Sequence, residues 1–344
     1  MVANITEITS EQHPDFIWTW KHNGKSSKAS LWLPYFSSAQ KIPRTNLWHL
    51  SFNGGEIAVD LKDVDFIMFY GATGEISLEF LDALATHKIS LMIHRRNLIH
   101  PYVFHPSSLG DAPDVLTKQL LFRKNEIKCC FIAKTLIKAR LEKMKSEIPV
   151  SDTVFSNLKK SRTLASIRNI EATTTAKYWE RWYENLEVEA TRRSEHPISV
   201  ALDAGSKFIF GIILRWVLFH KLSPCHGFLH EPTNYPSLVY DLMEPYRYII
   251  EEATQKAWEK AQSNKKKLIE HTLAQIKNML DEVVYVPATR QYVRRKNLLH
   301  GAVLALRAYL LCESKRLVLP LEGVKNGGRP PKVGYRMPGS LRQK

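Results

Sequence analysis

Short apolar runs, several of them alternating with polar residues, dominate the first hundred positions of the chain. This pattern is typical of half-buried β-strands and predicts strands at 29–34, 46–52, 56–61, 65–70 and 89–93. The Asn-Gly-Gly segment at 53–55 separates two of these runs and indicates a hairpin. Ser77 is placed to cap a short helix over 78–85, with Glu79 in its first turn. We therefore expect a small β-rich domain with one helix.

From Asp114 onward the apolar residues recur at helical spacing instead. A stripe that includes Leu116, Leu120 and Ile127 continues to just before Pro149 and predicts one long helix. Further helices are predicted at 161–187, 199–221, 246–282 and 290–313. The second half is therefore predicted to be all-α, and the fold class of the chain to be α+β.

These patterns divide the chain into three parts. Residues 1–105 are predicted to form the β-rich domain, and residues 106–322 the helical domain. Residues 323–344 are rich in Gly and Pro and carry six basic residues and no acidic one. Because such a segment has little apolar surface to bury, we expect a disordered tail there.

The charge of the chain changes near the same boundary. The net charge is +15, from 49 Lys and Arg against 34 Asp and Glu. Residues 1–100 hold 9 basic and 10 acidic residues, whereas the remainder holds 40 basic and 24 acidic residues. This asymmetry indicates that the second part contacts a polyanion, for which nucleic acid is the commonest candidate and a membrane surface the second. A generally basic protein without such a partner is the alternative.

The composition excludes several classes of protein. Hydrophobic residues make up 44% and charged residues 24% of the chain, which is ordinary globular composition and excludes wholesale disorder. No run of about 18 uncharged apolar residues occurs. The nearest, 208–220, is short and holds Arg215, so no membrane-spanning segment is expected. The N-terminus lacks a signal-peptide pattern, and the four cysteines show neither zinc spacing nor a disulfide framework. A reduced, cytoplasmic location is therefore expected.

Glu171 lies on the apolar face of the predicted helix 161–187. That face is formed by Ile167, Ile170, Thr174, Tyr178 and Trp182. A carboxylate facing a core is costly unless it is paired, hydrogen-bonded or bound to a cation. Glu171 is therefore either a cation ligand or half of a buried ion pair with an Arg or Lys.

A second set of polar residues follows His226. Asp241 and Glu244 are three residues apart, so a helix places both on one face, and Pro245 indicates that they lie where the chain enters a helix. Two carboxylates near the imidazole of His230 suit Mg²⁺ or Mn²⁺, with the histidine favouring Mn²⁺. The alternative is that Asp241 caps the helix and His230 is a hydrogen-bonded loop histidine.

A zinc site would use His226 and His230, which are four residues apart. Pro224 and Gly227 disfavour a helix that would bring both imidazoles to one face, and no third ligand is indicated nearby. We therefore expect no zinc site there.

Three motifs in the second half are similar to those of one protein family. They are Ile-Arg-Asn-Ile-Glu-Ala-Thr-Thr-Thr-Ala-Lys-Tyr-Trp at 167–179, Leu-Ser-Pro-Cys-His-Gly-Phe-Leu-His at 222–230, and Ser-Leu-Val-Tyr-Asp-Leu-Met-Glu-Pro-Tyr-Arg at 237–247. In this order and at these separations, they resemble the CRISPR-associated integrase/endonuclease of the spacer-acquisition (adaptation) complex. The N-terminal strands also fit, so the resemblance covers most of residues 46–320.

The resemblance implies a set of metal ligands in this sequence. The family's metal-binding glutamate falls on Glu171, its histidine on His230 and its aspartate on Asp241. Glu244 occupies a position where some members have a second aspartate, which makes it a candidate fourth ligand. One departure lies before the histidine motif, where relatives often have Asn and this chain has Asp203.

The resemblance also implies a reaction and partners. A metal-dependent site would let a DNA 3′-hydroxyl attack a phosphodiester at the end of a CRISPR repeat, joining a new spacer in antiviral defence. The metal would be Mg²⁺ or Mn²⁺, and the DNA the double-stranded spacer and repeat. The β-rich domain would form a homodimer, and a small ferredoxin-like CRISPR-associated partner would bridge two dimers.

Basic residues near the motifs are candidates for phosphate contacts. Those expected to bind DNA are Lys159, Lys160, Arg162, Arg168 and Arg247. Exposed, solvated charges are the alternative for each of them. The excess of positive charge in this half supports the DNA interpretation collectively, because duplex binding rests on phosphate neutralisation.

Two other functions remain open from the sequence. A casposon-type transposase would share the fold and metal site, although only about twenty residues follow the catalytic part, too few for the helix-turn-helix domain such enzymes usually add. A non-catalytic nucleic-acid-binding scaffold would have a degenerate metal site, and the presence of Glu171, His230 and Asp241 argues against it.

Overall fold

The computed structural model describes residues 28–53, 55–95, 101–106, 114–260, 267–325 and 331–341. The chain divides into two units, Met1–Gly110 and Asp111–Lys344. Strands dominate the described part of the first unit and helices that of the second, so the predicted α+β class is confirmed.

The described strands of the first unit form two sheets. They are β1 (Ala29–Pro34), β2 (Ser38–Lys41), β3 (Leu47–Phe52), β4 (Gly55–Asp60), β5 (Val64–Tyr70), β6 (Ser90–His94) and β7 (Tyr102–Phe104). One sheet has the order β1-β5-β6-β7, in which β1 and β6 are parallel to β5, and β7 is antiparallel to β6. The other is the antiparallel sheet β2-β3-β4. The five predicted strands are therefore confirmed, and β2 and β7 are additions.

Local capping and aromatic packing explain how this unit is built. Helix α1 (Leu78–Thr86) connects the parallel strands β5 and β6, and the Ser77 hydroxyl accepts a hydrogen bond from the backbone N–H of Phe80 at 3.1 Å, as predicted. Phe80 packs its ring 5.0 Å from that of Trp48 in β3. The alternating residues of the two sheets thus share one apolar core with the buried side of α1.

The second unit is mainly helical. Its described helices are α2 (Val115–Lys124), α3 (Glu126–Met144), α4 (Asp152–Lys160), α5 (Leu164–Asn185), α6 (Pro197–Phe219), α7 (Ser237–Met243), α8 (Arg247–Lys260), α9 (Leu268–Asp281) and α10 (Lys296–Leu310). Helix α6 packs against α7, α8, α9 and α10. Its Gly205 allows close approach, since a Cβ there would lie 2.8 Å from Ile276 of α9.

Helix α6 is the one described helix that is long and apolar enough to cross a membrane, by length and composition alone. In this structure 78% of its apolar window is buried against the rest of the chain. That burial is typical of the core helix of a folded domain.

The helix predicted from Asp114 to just before Pro149 is wrong as a single element, because a short polar residue interrupts it. Asn125 ends α2 and begins α3, since its N–H donates to the Leu121 carbonyl and its side chain accepts from the N–H of Lys128. The predicted helix 161–187 is confirmed as α5, which begins at Leu164, where the Thr163 hydroxyl caps it by accepting from Ser166 N–H. Asn and Thr compete for backbone hydrogen bonds in this way and favour helix ends over helix interiors.

The predicted all-α second half also contains a hairpin. Strands β8 (Val283–Val286) and β9 (Gln291–Arg294) pair antiparallel where the sequence pattern suggested the end of one helix and the start of another. The predicted helix 290–313 therefore begins at Lys296 as α10. Valine-rich, β-branched residues before Pro287 are the signal that periodicity alone missed.

The prediction of a disordered tail is wrong for residues 331–341. The hydroxyl of Tyr335 donates to the carbonyl of Val318 at 2.7 Å, and Met337 is 3% exposed. The N–H of Met337 donates to the side-chain oxygen of Gln291, and Leu341 pairs with Tyr292 of β9. A few apolar residues are thus enough to fix a basic, Gly- and Pro-rich segment. Residues 326–330 and 342–344 of the predicted tail lie outside the described part.

Candidate active site

Glu171 lies in the middle of α5 and is half-buried. The hydroxyl of Thr175, one turn later, donates to its Oε1 at 2.9 Å. Burial and the negative charge of Glu244 raise the pKa of the Glu171 carboxyl, against smaller lowering effects of Thr175, Arg247 and His230. The site therefore holds two acidic side chains close enough to repel each other, which is a setting that favours a cation.

The buried arginine expected as an alternative partner of Glu171 is present, but it pairs elsewhere. Arg140 of α3 donates from both terminal nitrogens to the two oxygens of Glu251 in α8, at 2.7 and 2.5 Å. The hydroxyl of Tyr178 donates to Glu251 at 2.8 Å. Among the described residues, no ion pair is formed by Glu171. The ion-pair alternative therefore fails for Glu171, and Arg140 lines the same cleft as Glu171 while it is paired with Glu251.

Asp241 of α7 is fully buried and anchors the loop that carries the histidine. Its Oδ2 accepts the backbone N–H groups of Phe228 and Leu229, at 2.5 and 2.9 Å. Its Oδ1 accepts the N–H of His230 at 3.1 Å and contacts His230 Nδ1 at 2.6 Å. These four contacts use the roughly four lone-pair positions of a carboxylate. Asp241 therefore neither caps α7 nor has an acceptor position left over.

His230 is held in one orientation by this contact. Because Nδ1 faces a carboxylate, Nδ1 carries the proton and the lone pair of the neutral ring is on Nε2. Burial lowers the pKa of the imidazole, but its hydrogen bond to Asp241 and the charges of Asp241 and Glu244 outweigh this effect and raise it overall. The side chain is 34% exposed and lines a cleft.

Glu244 lies three residues after Asp241 but points to a different environment. Pro245 gives residues Glu244–Tyr246 a 3₁₀ turn between α7 and α8. The Glu244 Oε1 accepts from Arg247 Nε at 2.8 Å, and the glutamate lines the same cleft as His230. The expected helix entry at Pro245 is therefore observed, and Glu244 lines the cleft whereas Asp241 is fully buried.

Two side chains of α2 that sequence reasoning missed hold the histidine loop from the other side. The Gln119 amide donates to the carbonyls of Ser223 and His226, at 2.9 and 2.8 Å, and its oxygen accepts the N–H of Ser223. Arg123 donates to the carbonyl of Gly227 at 2.9 Å and to that of Glu231. A Gln and an Arg four residues apart on a helix are too common for sequence alone to reveal this role.

The cleft has a volume of about 580 Å³. Its lining residues are Arg140, Glu171, Thr175, Trp179, Arg192, Arg193, Asp203, His230, Glu244 and Arg247. It brings together three of the predicted metal ligands, and Asp241 lies behind it. Within the described ranges, no three His, Cys, Asp or Glu side chains are already arranged as a ligand set.

The predicted DNA-contacting residues fall into two groups. Lys159, Lys160 and Arg162 are exposed around the break between α4 and α5. Arg168 forms an ion pair with Glu231, and Arg247 one with Glu244.

His226, the disfavoured zinc ligand, contacts the Ser223 hydroxyl through Nδ1 and lines a different pocket from His230.

Comparison with known proteins gives a consistent result. The chain is 24% identical over 232 residues to the CRISPR-associated endonuclease Cas1 of Pyrococcus horikoshii, covering 63% of this chain and 71% of that protein. Its fold is similar to that of a casposase bound to integration product, with a TM-score of 0.71 and 19% identity over 85% of this chain and 93% of the casposase chain.

Two solved complexes have the same fold. One is a TtCas1–DNA complex, with a TM-score of 0.58 and 14% identity, covering 90% of this chain and 100% of that chain. The other is a Cas6-RT-Cas1–Cas2 complex, with a TM-score of 0.64 and 14% identity, covering 87% of this chain and 37% of that chain. The sequence model of the family described as CRISPR associated protein Cas1 matches residues 48–283, more than half of the chain. The chain therefore belongs to the Cas1 family.

Proposed function

We propose that this chain is a metal-dependent DNA integrase and endonuclease that joins new spacer DNA to a CRISPR array. The reaction is attack of a DNA 3′-hydroxyl on a phosphodiester of the repeat. One observation carries the proposal: in a chain of the Cas1 family, a histidine oriented by a buried aspartate lines the same cleft as two glutamates.

The proposed ligands of Mg²⁺ or Mn²⁺ are Glu171, Glu244 and the Nε2 of His230. Two carboxylates and one imidazole suit these ions, and the raised pKa of Glu171 reflects a repulsion that a cation would relieve. Asp241, expected from the resemblance as a ligand, acts instead through His230. Such carboxylate–histidine pairs commonly support metal sites by fixing the ring and its tautomer.

Each of these side chains is prepared for its role by a neighbour. Asp241 keeps the proton on Nδ1 of His230, so that Nε2 is the donor atom available in the cleft. Arg247 holds one oxygen of Glu244, and Thr175 holds one oxygen of Glu171, which leaves the second oxygen of each for a cation. When bound, the metal supplies polarisation of a phosphoryl oxygen and a lowered pKa of the attacking hydroxyl. No side-chain nucleophile is needed, because the DNA 3′-hydroxyl attacks.

A strand-joining assay tests this function. The substrate is supercoiled DNA carrying a repeat, with and without Mg²⁺ or Mn²⁺. Glu171→Gln removes a charged ligand and is expected to abolish joining while DNA binding persists. Glu184→Gln is the matched control, because Glu184 is exposed on the same helix and pairs with Arg181. Full joining by Glu171→Gln or by His230→Ala would refute the assignment.

The proposed partners are double-stranded DNA, a second copy of the chain and a small ferredoxin-like partner of the Cas2 type. A TtCas1–DNA complex and a Cas6-RT-Cas1–Cas2 complex with the same fold support DNA and such a partner. The nearly neutral, strand-rich first part supports dimerisation through that part, with DNA bound by the basic part. Light scattering of the full chain should give twice its monomer mass, and a monomer would contradict the dimer.

The second candidate function is a casposon-type transposase, which the fold similarity to a casposase supports. The same assay separates the two, because a transposase would prefer DNA ends with terminal inverted repeats over a spacer and a CRISPR repeat. DNA binding without joining of either substrate would indicate a scaffold.

A further inference from the structure

The cleft extends beyond the three proposed metal ligands to a group of residues that this function leaves unused: Trp179, Arg192, Arg193 and Asp203. We propose that Arg192 and Arg193 form a phosphate-binding subsite that takes the backbone of the DNA strand whose reacting phosphodiester lies at the glutamates. The inference rests on the proposed function, and it adds the residues that position the strand.

Arg192 is held in place by two contacts. Its Nη1 lies 2.6 Å from Oδ1 of Asp203 in α6, and its guanidinium carbon lies 5.7 Å from the ring centre of Trp179 in α5. A guanidinium has several N–H donors in a planar fork, so the edge that Asp203 does not use remains for a phosphate. Since the side chain is already ordered, binding a phosphate would cost little conformational entropy. Asp203, where relatives often have Asn, thus holds the Arg192 side chain in place.

Arg193 supplies the charge that Asp203 partly cancels on Arg192. The other two arginines of the cleft are engaged, Arg140 with Glu251 and Arg247 with Glu244. Arg193 is exposed at the cleft, and within the described ranges it forms no ion pair. Its charge is therefore available to a ligand that reaches this end of the cleft.

The spacing along α5 fits a nucleic-acid strand. Trp179 lies eight residues after Glu171, which is roughly 12 Å along a helix at about 1.5 Å per residue. Phosphates of one DNA strand are about 3.4 Å apart along the duplex axis, so a duplex that runs parallel to α5 would place about three to four of them over this distance. The subsite would then hold a phosphate about three to four positions from the reacting one.

The test combines charge-removing variants with neutral phosphates. Binding of the target DNA is measured in EDTA as a function of salt for the wild type, Arg192→Gln/Arg193→Gln and Arg181→Gln. The control Arg181 lies on α5, pairs with Glu184 and does not line the cleft. The double variant is expected to reduce the salt slope by roughly 0.9 for each phosphate that the protein no longer neutralises, and Arg181→Gln to leave it unchanged. Thermal melting verifies that all three proteins are folded.

Single methylphosphonates, which remove one phosphate charge each, are then placed at positions one to six from the reacting phosphodiester. The wild type should lose affinity at one position near the third or fourth, and the double variant should lose none there, since the charge and its partner are both absent. Equal salt slopes in wild type and double variant, or equal losses at every position, would overturn the subsite. If the subsite fails this test while the wild type still joins strands, the proposed function stands. If the wild type does not join strands, that result counts against the proposed function and not against the subsite.

Discussion

Replacing Asp241 by asparagine should destabilise the protein, whereas replacing Glu171 by glutamine should not. Four N–H donors now contact the carboxylate of Asp241, two on each oxygen. Asparagine replaces one of these oxygens by an NH₂ group, so two of the four donors lose their acceptor. The best arrangement keeps the carbonyl on the buried N–H groups of Phe228 and Leu229 and gives up both bonds from His230.

The size of the effect follows from those two missing hydrogen bonds. A buried donor left without a partner costs about 1–3 kcal/mol, and His230 at 34% exposure recovers part of this from water. We therefore expect a loss of about 3 kcal/mol in the free energy of unfolding, or roughly 6–12 °C in the melting temperature of a domain of this size. The oxygen of a glutamine at 171 can still accept from Thr175, and the substitution removes a charge that repels Glu244, so its stability should be equal or higher.

Urea unfolding in EDTA measures both variants without a contribution from bound metal. A free energy of unfolding for Asp241→Asn within about 0.5 kcal/mol of the wild type would refute the view that this carboxylate anchors the histidine loop. A loss of about 3 kcal/mol for Glu171→Gln as well would refute the distinction between an anchoring and a cleft-facing acid.

Three further predictions concern other parts of the second unit. Arg140→Met should lower the free energy of unfolding by about 3–5 kcal/mol, because it leaves Glu251 without its arginine in the core. The double variant Arg140→Met/Glu251→Leu should recover most of this loss. Equal unfolding midpoints in urea for the two variants would contradict this prediction. Removing residues 331–344 should lower the melting temperature, because an anchored segment is lost, and an unchanged melting curve would indicate a free tail. Burial and the neighbouring positive charges lower the pKa of His220 to about 4. Burial, followed by His220 and a neighbouring arginine, lowers the pKa of His300 to about 3. Since unfolded histidines take up protons near pH 6.5, the free energy of unfolding should fall as the pH drops from about 6.5 towards 4. His220→Gln/His300→Gln should show a shallower fall in urea unfolding across that range, and an equal slope would count against it.

Much of the architecture was predictable because local patterns determine it. The alternation in 46–52, the apolar run at 65–70 and the capping serine at 77 each specify their element without help from distant residues. The helix break at Asn125 was not predictable from periodicity, because the apolar stripe continues across it on both sides. Hairpin β8–β9 was missed for a related reason, since short apolar runs suit either a strand or a buried helix.

The site shows the same limit more sharply. The motifs brought Glu171, His230, Asp241 and Glu244 into consideration, and three of the four line one cleft. Spacing alone could not tell which acid faces the cleft, because it does not show which of two residues one turn apart will be covered by a loop. Here the backbone N–H groups of the histidine loop cover Asp241, whereas Glu244, one turn later, lines the cleft.

The contacts that build the cleft and its histidine loop join segments that are far apart in the sequence. Gln119 bonds to residues 104 and 107 positions later, and Arg140 to Glu251, 111 positions later. A ribosome adds roughly 5–20 residues per second, so α2 waits on the order of 5–20 s before its partners are made. The cleft therefore forms late in synthesis, only after the chain has been made as far as the loop that carries His230 and the helix that follows it.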